Sequence, residues 1–408
     1  MSTVLQRFLQ YVSIHTTSDP ESSETPSTPG QWDLAKLLKK QLEEMGASDV
    51  CLDPHCIVYA SIPATTTHEL PALGFLAHMD TSDNASGKQV SPRIVSHYDG
   101  NDIPLDKNGK HLLSPSVFPA LSQYIGQDLV VTDGTTLLGA DDKAGIAEIM
   151  TMAEYLLSHP EIPHGPIKIA FTPDEEGADG ISCFDTAHFG ADFAYTVDGG
   201  ELGEIEYENF NAASLTVTCK GRDIHPGLAK DTMINALHLA MEFHQMLPAW
   251  ETPGHTCGYE GFYHLLDMKG NVDEAVLSYI IRDHDTDKFQ QRKQYVREIA
   301  DYMNHKYQAQ RITLNLTDSY YNMKEKILPH MHLIDNAKRA MTEVGMTPVI
   351  LPIRGGTDGA RLSYMGLPCP NLCTGGHNCH GIYEFIPVQS LEQVSRLLIK
   401  IAELYGQA

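Results

Sequence analysis

Three largely apolar runs in this chain each end on a polar or acidic group, and that pattern constrains the fold more than any other feature. Ala72 to Ala77 runs into His78, Ile167 to Phe171 runs toward the acidic turn Thr172-Pro173-Asp174-Glu175-Glu176-Gly177, and Phe193 to Val197 runs into Asp198. Short apolar stretches of this kind read as strands buried on both faces. Between the first two lies Ala144 to Leu157 (AGIAEIMTMAEYLL), which has the composition and length of a helix. Upstream, Leu34, Leu37, Leu38, Leu42 and Met45 recur at helical spacing from Gln31 to Met45, and Gly46 follows as a stop. Strands alternating with helices predict an α/β sheet. In such sheets ligands bind outside the carboxyl ends of the strands, which is where the polar residues fall.

At 408 residues the chain exceeds the size at which one core stops growing, so two domains are expected. Residues 209–318 supply the second. A period-two strand (Leu215, Val217, Cys219) leads to a helix around Met233 to Leu247, and strand-like segments follow at Phe262 to Met268 and Ala275 to Ile281. A helix from Thr286 then sets Phe289, Val296, Ile299 and Met303 on one face, before a strand alternating Ile312, Leu314 and Leu316. The order β-α-β-β-α-β is a known compact unit. It reads as an α+β domain inserted between residues 1–208 and 319–408, after which the first pattern resumes and ends in a helix from Ser390 to Tyr405. The Ser/Thr/Pro-rich stretch from Thr17 to Gly30 reads as a loop.

Charge narrows the partners. With 29 basic and 53 acidic residues the formal net charge is −24, a field that repels phosphate backbones and anionic membranes. Neither nucleic acid nor a membrane is expected as a partner. The eight cysteines form no CxxC pair, so free, buried thiols are expected. Arg7 and Gln10 interrupt the apolar stretch of the first fifteen residues, which therefore lacks a signal-peptide core; a cytoplasmic location is the expectation.

The chemistry concentrates at five places. His78-Met79-Asp80 suits a metal-bound imidazole beside a carboxylate that orients it. The adjacent carboxylates of the turn at 174–176 need a cation or a shared proton, unless the turn is merely a solvated loop. Gly139-Ala140-Asp141-Asp142-Lys143-Ala144-Gly145 puts two aspartates at a helix start, where either could be a cap. Asp198 precedes two glycines, and Thr374 to Gly381 (TGGHNCHG) is a glycine-rich loop carrying His377 and His380. Each signal is weak alone. Together they form a set of nitrogen and oxygen donors suited to zinc. His68-Glu69 is not the start of an HExxH motif, because position 72 is alanine, and no GxSxG elbow is present.

The segments GFLAHMDTS, TLLGADDKAGIAEIM, AFTPDEE, YTVDGGELGE, ENFNAAS, HPGLAK, GYEGFYHL, IIRD, DSYYNM, IRGGTDGA and GLPCPNLCTGGHNCHG resemble the peptidase T family of M20 metallopeptidases from end to end. The resemblance implies a zinc-peptidase catalytic domain, a mixed sheet flanked by helices, with an inserted dimerisation domain. It implies an aminopeptidase acting on tripeptides, two Zn2+ per subunit, and a homodimer. By the same resemblance His78, Asp141 and Asp198 hold one zinc and Asp141, Glu176 and His380 the other, with Asp80 as the partner of His78 and Glu175 as general base. It also implies that His225 of HPG reaches the partner subunit's site to stabilise the oxyanion. Glu175 adjoins a ligand yet stays available for proton transfer, and Arg354 suits a substrate carboxylate, which guanidinium meets bidentately. Asn235 is a further candidate for substrate contact. The chain departs from the family pattern at Gly177, His377 and Cys379, which bears on the pocket's shape and on which histidine is the last ligand; His380 is favoured because it directly precedes Gly381. Two rivals stand beside this reading: another M20-type hydrolase, such as a dipeptidase or an N-acyl amino acid deacylase, and a non-catalytic metal-binding protein on the same fold.

Overall fold

The computed structural model describes residues 3–407, which divide into two compact units. Unit one comprises Met1–Tyr207, Lys326–Leu351 and Arg361–Ala408, and unit two comprises Glu208–Glu325 and Pro352–Ala360.

Unit one is built on an eight-stranded mixed sheet. Its spatial order is Ser48–Leu52, Val58–Ile62, Ile167–Thr172, Leu73–His78, Phe193–Gly199, Asn371–Cys373, Glu204–Glu206 and Val349–Ile350. The four central strands, Ile167–Thr172, Leu73–His78, Phe193–Gly199 and Asn371–Cys373, are mutually parallel, while Val58–Ile62 pairs antiparallel with the first of them. Parallel neighbours end on the same edge, so every chain segment leaving these four strands emerges on one side of the sheet. Register makes this concrete: His78 lies opposite Thr172, and Leu76 opposite Thr196.

Helix Ala140–Ser158 packs on strands Leu73–His78 and Phe193–Gly199 and is itself covered by helices Val4–Val12 and Val388–Gly406. Enclosure on all sides explains why this helix is apolar around its circumference rather than along one stripe. Gly145 permits its close approach to the sheet, since a Cβ there would lie 2.0 Å from the Val197 carbonyl oxygen. Helix Gly30–Met45 packs on the antiparallel margin of the sheet and ends at Gly46, whose φ of 87° is left-handed.

The helix Val4–Val12 has no counterpart in the sequence reading. Its Thr3/Gln6 capping box starts it, and Arg7, the residue that breaks its apolar run, is buried and donates to Glu154 Oε2 at 2.8 Å. A three-stranded sheet of Phe385–Pro387, Leu129–Val131 and Arg93–Val95 is likewise additional, its strands being too short to display a period.

Unit two is a four-stranded antiparallel sheet in the order Phe262–Gly270, Glu274–Asp283, Asn211–Lys220 and Ile312–Tyr320. Helices Ala236–Gln245 and Thr286–Lys306 cover one face. Leu215, Val217, Leu277, Tyr279 and Ile281 from the strands meet Phe243, Phe289, Val296, Ile299 and Met303 from the helices in one core. Alternation on the strands and helical spacing on the helices produce the β-α-β-β-α-β order expected from the sequence.

Among the described residues no helix is long and apolar enough to cross a membrane. The cysteines are free, but not all buried as expected: Cys257 and Cys379 are exposed, because both sit in loops rather than in strands.

Candidate metal centre

Five segments converge where the central strands of unit one end. His78 closes its strand, and its Nε2 lies 3.0 Å from Asp141 Oδ1 and 3.4 Å from Asp198 Oδ1. On the other side of Asp141, His380 Nε2 lies 3.0 Å from Asp141 Oδ2 and 2.9 Å from Glu176 Oε1. Each triad, His78/Asp141/Asp198 and Asp141/Glu176/His380, has its donor atoms within 4.8 Å of one another. Asp141 belongs to both, giving one carboxylate oxygen to each.

The chemistry of the donors fits a pair of divalent ions. Imidazole nitrogen and carboxylate oxygen are ligands for zinc and its neighbours. His380 Nε2 lies only 2.9 Å from Glu176 Oε1, an oxygen sealed from solvent. Two donors with lone pairs placed this near each other call for a cation between them. Asp80, Asp141, Glu176 and Asp198 gather around two imidazoles, and among the described residues no lysine or arginine forms an ion pair with them. Two dications would balance four such negative charges.

Electrostatics without a cation are correspondingly strained. Burial raises the carboxyls of Glu176 and Asp198 above the usual range, and the charge of Asp141 adds to the shift in both. Burial alone would depress His78, but Asp198, Asp141 and Asp80 outweigh it and hold the imidazole well above its ordinary value. Hydrogen bonds to Asp141 and then Glu176 push His380 up to about 11. Burial also opposes ionisation of Asp141, yet contact with His380 and His78 keeps its carboxyl below the usual range. Protons and a metal compete for the same ring nitrogens and carboxylate oxygens, so metal binding is linked to proton release.

Backbone contacts hold the donors in place. Asp80 is fully buried; its Oδ1 accepts the Glu175 N–H at 2.9 Å and its Oδ2 the Glu176 N–H at 3.0 Å. The same Oδ1 lies 3.3 Å from His78 Nδ1. One carboxylate therefore braces both the first ligand and the acidic turn. The two aspartates at the helix start divide the roles left open by their spacing. Asp142 is the capping one, its Oδ1 accepting the Gly145 N–H at 3.2 Å and its Oδ2 the His78 N–H at 3.1 Å. Asp141 faces the other donors.

Sequence reasoning missed the anchoring of Asp174. Its carboxylate accepts the Ser27 N–H at 2.7 Å, the Ser27 hydroxyl at 2.5 Å and Gln31 Nε2 at 2.6 Å, while its own N–H donates to Gln31 Oε1 at 3.1 Å. Gln31 lies 143 residues away and carries no local signal of this contact. The turn at 174–176 is thereby gripped from both ends.

His377 stands outside both triads. Its Nε2 pairs with the Tyr124 hydroxyl at 2.7 Å, its ring stacks on Phe385 with centroids 4.6 Å apart, and burial lowers its pKa to about 4. The remaining candidates lie in unit two. His225 is exposed, and its Nδ1 accepts the Gly227 N–H at 3.1 Å. Asn235 caps helix Ala236–Gln245 by accepting the Leu237 N–H at 2.9 Å. Arg354 lies over Phe210 and Phe262; its Nη1 donates to the Gly258 and Glu260 carbonyls and its Nη2 to the carbonyl and hydroxyl of Thr256.

Comparison with known proteins extends this picture. Residues 207–311 match the family described as peptidase dimerisation domain. Over 409 aligned residues the chain is 54% identical to peptidase T of Alkaliphilus oremlandii, covering 100% of each chain. It is 56% identical to peptidase T of Halothermothrix orenii, again over 100% of each. Among solved structures, aminopeptidase PepT from Bacillus cereus aligns with a TM-score of 0.77 at 23% identity, covering 99% of this chain and 98% of that one. A dinuclear metal-binding M20 peptidase from Bacillus subtilis aligns with a TM-score of 0.67 at 13% identity, over 99% and 98% of the two chains. These two structural likenesses speak for the fold.

Proposed function

Because the chain belongs to the peptidase T family, we propose that it is an aminopeptidase releasing the N-terminal residue of tripeptides, with two zinc ions bound per subunit. The observation that carries this reading is the pair of triads joined through the two oxygens of Asp141. His78, Asp141 and Asp198 would hold one ion, and Asp141, Glu176 and His380 the other. When bound, such ions bring the pKa of water toward neutrality and polarise the scissile carbonyl. Glu175, its amide held on Asp80, takes the proton of the attacking water and returns it to the leaving amine. Asp80 fixes the His78 ring so that Nε2 faces Asp141 and Asp198.

Residues 209–318 serve in this proposal as the inserted dimerisation domain, supported by the family match over 207–311. The enzyme works as a homodimer in the cytoplasm, and His225 of one subunit stabilises the oxyanion in the other. Arg354 receives the C-terminal carboxylate of the substrate, exchanging carbonyls of the 256–260 loop for it, with Asn235 beside the peptide.

A substrate panel tests the activity. Hydrolysis of Ala-Ala-Ala should exceed that of Ala-Ala, tetra-alanine and N-acetyl-alanine, each assayed with metal analysis; failure on the tripeptide would sink the reading. A tripeptide amide, lacking the carboxylate, should lose about tenfold or more in kcat/KM through its missing charge-assisted bond to Arg354. Equal kcat/KM for acid and amide would remove Arg354 from the substrate site.

The trans role of His225 has its own test. Its replacement by alanine should lower turnover about 10²-fold without loss of metal, the scale of one oxyanion donor. Co-expressed His225→Ala and Glu175→Gln chains should then regain activity, since one site of the mixed dimer combines an intact Glu175 with an intact partner histidine. No recovery in mixed dimers would mean that His225 does not act across subunits.

A further inference from the structure

Glu384 lies four residues beyond His380 and is 1% exposed. Its Oε2 accepts the N–H groups of Leu138 at 2.6 Å and Gly139 at 2.8 Å, and its Oε1 accepts the N–H of Asp141 at 3.2 Å. These amides precede the regular part of helix Ala140–Ser158, in which Asp141 and Asp142 are non-helical in φ and ψ. The backbone there has no helical partner for its donors, and a buried N–H left unpaired is costly. A carboxylate brought from some 240 residues along the chain satisfies three of them at once.

The same short segment therefore holds Asp141 twice. His380 contacts its carboxylate at Oδ2, and Glu384 holds its amide. Glu384 belongs to neither donor triad, so it is no ligand itself. We infer that Glu384 is a positioning residue: by fixing the backbone of Asp141 it aims the carboxylate shared by both triads and sets the affinity of the two ions together. This rests on the two-ion reading above. It goes beyond that reading in predicting that a residue without metal contact governs both sites in parallel, whereas a side chain supporting only one triad would govern one.

The choice of substitution separates positioning from folding. In Glu384→Gln the amide oxygen can keep the Leu138 and Gly139 bonds, while the NH2 group turns a donor toward the Asp141 N–H. The loop stays closed, but the hold on Asp141 becomes repulsive. Glu384→Ala removes all three bonds. The experiment is titration of the metal-free protein with Zn2+ followed by calorimetry, with thermal unfolding of each metal-free variant alongside and His380→Ala as comparator.

The expected result is two ions on the wild type, both weakened about 10–100-fold in Glu384→Gln at nearly unchanged Tm, the scale seen when groups that orient ligands are removed. His380→Ala should weaken one ion far more than the other. Wild-type Kd values for both ions in Glu384→Gln would overturn the inference and leave Glu384 a purely structural residue, as would weakening of one ion alone. A wild type that binds a single ion would overturn the two-ion reading and this inference with it; two ions on the wild type with unchanged Kd values in the variant would overturn only this one. If Glu384→Ala fails to fold, Glu384→Gln still decides.

Discussion

Replacing Glu175 with glutamine is expected to leave zinc content near the wild-type level while tripeptide turnover falls by about 10⁴-fold, the upper end of what one acid–base group contributes. The upper end applies because the carboxylate acts twice, accepting a proton from water and delivering it to the leaving amine. Glutamine keeps the size and much of the hydrogen bonding of the side chain but cannot take up a proton. The turn should not move, because Asp80 holds the amides of both Glu175 and Glu176, and Asp174 is anchored on Ser27 and Gln31. Metal analysis and steady-state kinetics on one preparation check the prediction. Zinc lost in proportion to activity would make Glu175 a ligand instead.

That rigid turn also illustrates how the chain can and cannot be read. The strands leading to His78, Asp174 and Asp198 are visible as apolar runs because parallel strands are covered on both faces, so their ends mark the ligand edge without further information. The division between Asp141 and Asp142 is not visible, since two adjacent aspartates at a helix start are equivalent until the backbone turns one toward the metal centre and the other onto the Gly145 amide. His380 and His377 pose the same difficulty. Both lie in one glycine-rich loop, and only resemblance favours His380; the structure puts His377 against Tyr124 and Phe385. Gln31 and Glu384 were illegible for another reason. Their partners are 143 and some 240 residues away, and a hydrogen bond made over that distance leaves no periodicity or spacing in the chain. What supports the ligands was therefore harder to find than the ligands themselves.

Asp141→Asn is expected to have the other large effect, the loss of both ions at once. Asp141 is the one side chain with an oxygen in each triad, Oδ1 at 3.0 Å from His78 Nε2 and Oδ2 at 3.0 Å from His380 Nε2. Asparagine keeps one oxygen and replaces the other with a donor, so one ion loses a ligand outright and both lose the shared negative charge. Breaking a buried charge pair by removing one partner costs about 3–5 kcal/mol, or about 10² to 4 × 10³-fold in the Kd of each ion. Asp198→Asn and Glu176→Gln remove a negative charge from one triad only, and each should spare the other ion. Metal titration of the three variants discriminates sharply: parallel loss in Asp141→Asn with selective loss in the other two is the signature of a shared carboxylate. Loss of a single ion from Asp141→Asn would show that the triads are independent, and the two-ion mechanism would then lack its joint. Activity should vanish in Asp141→Asn even though Glu175 is untouched, because a general base has no polarised water to act on. The Glu175→Gln and Asp141→Asn results thus test opposite halves of one arrangement, proton transfer without loss of metal and loss of metal without loss of the base.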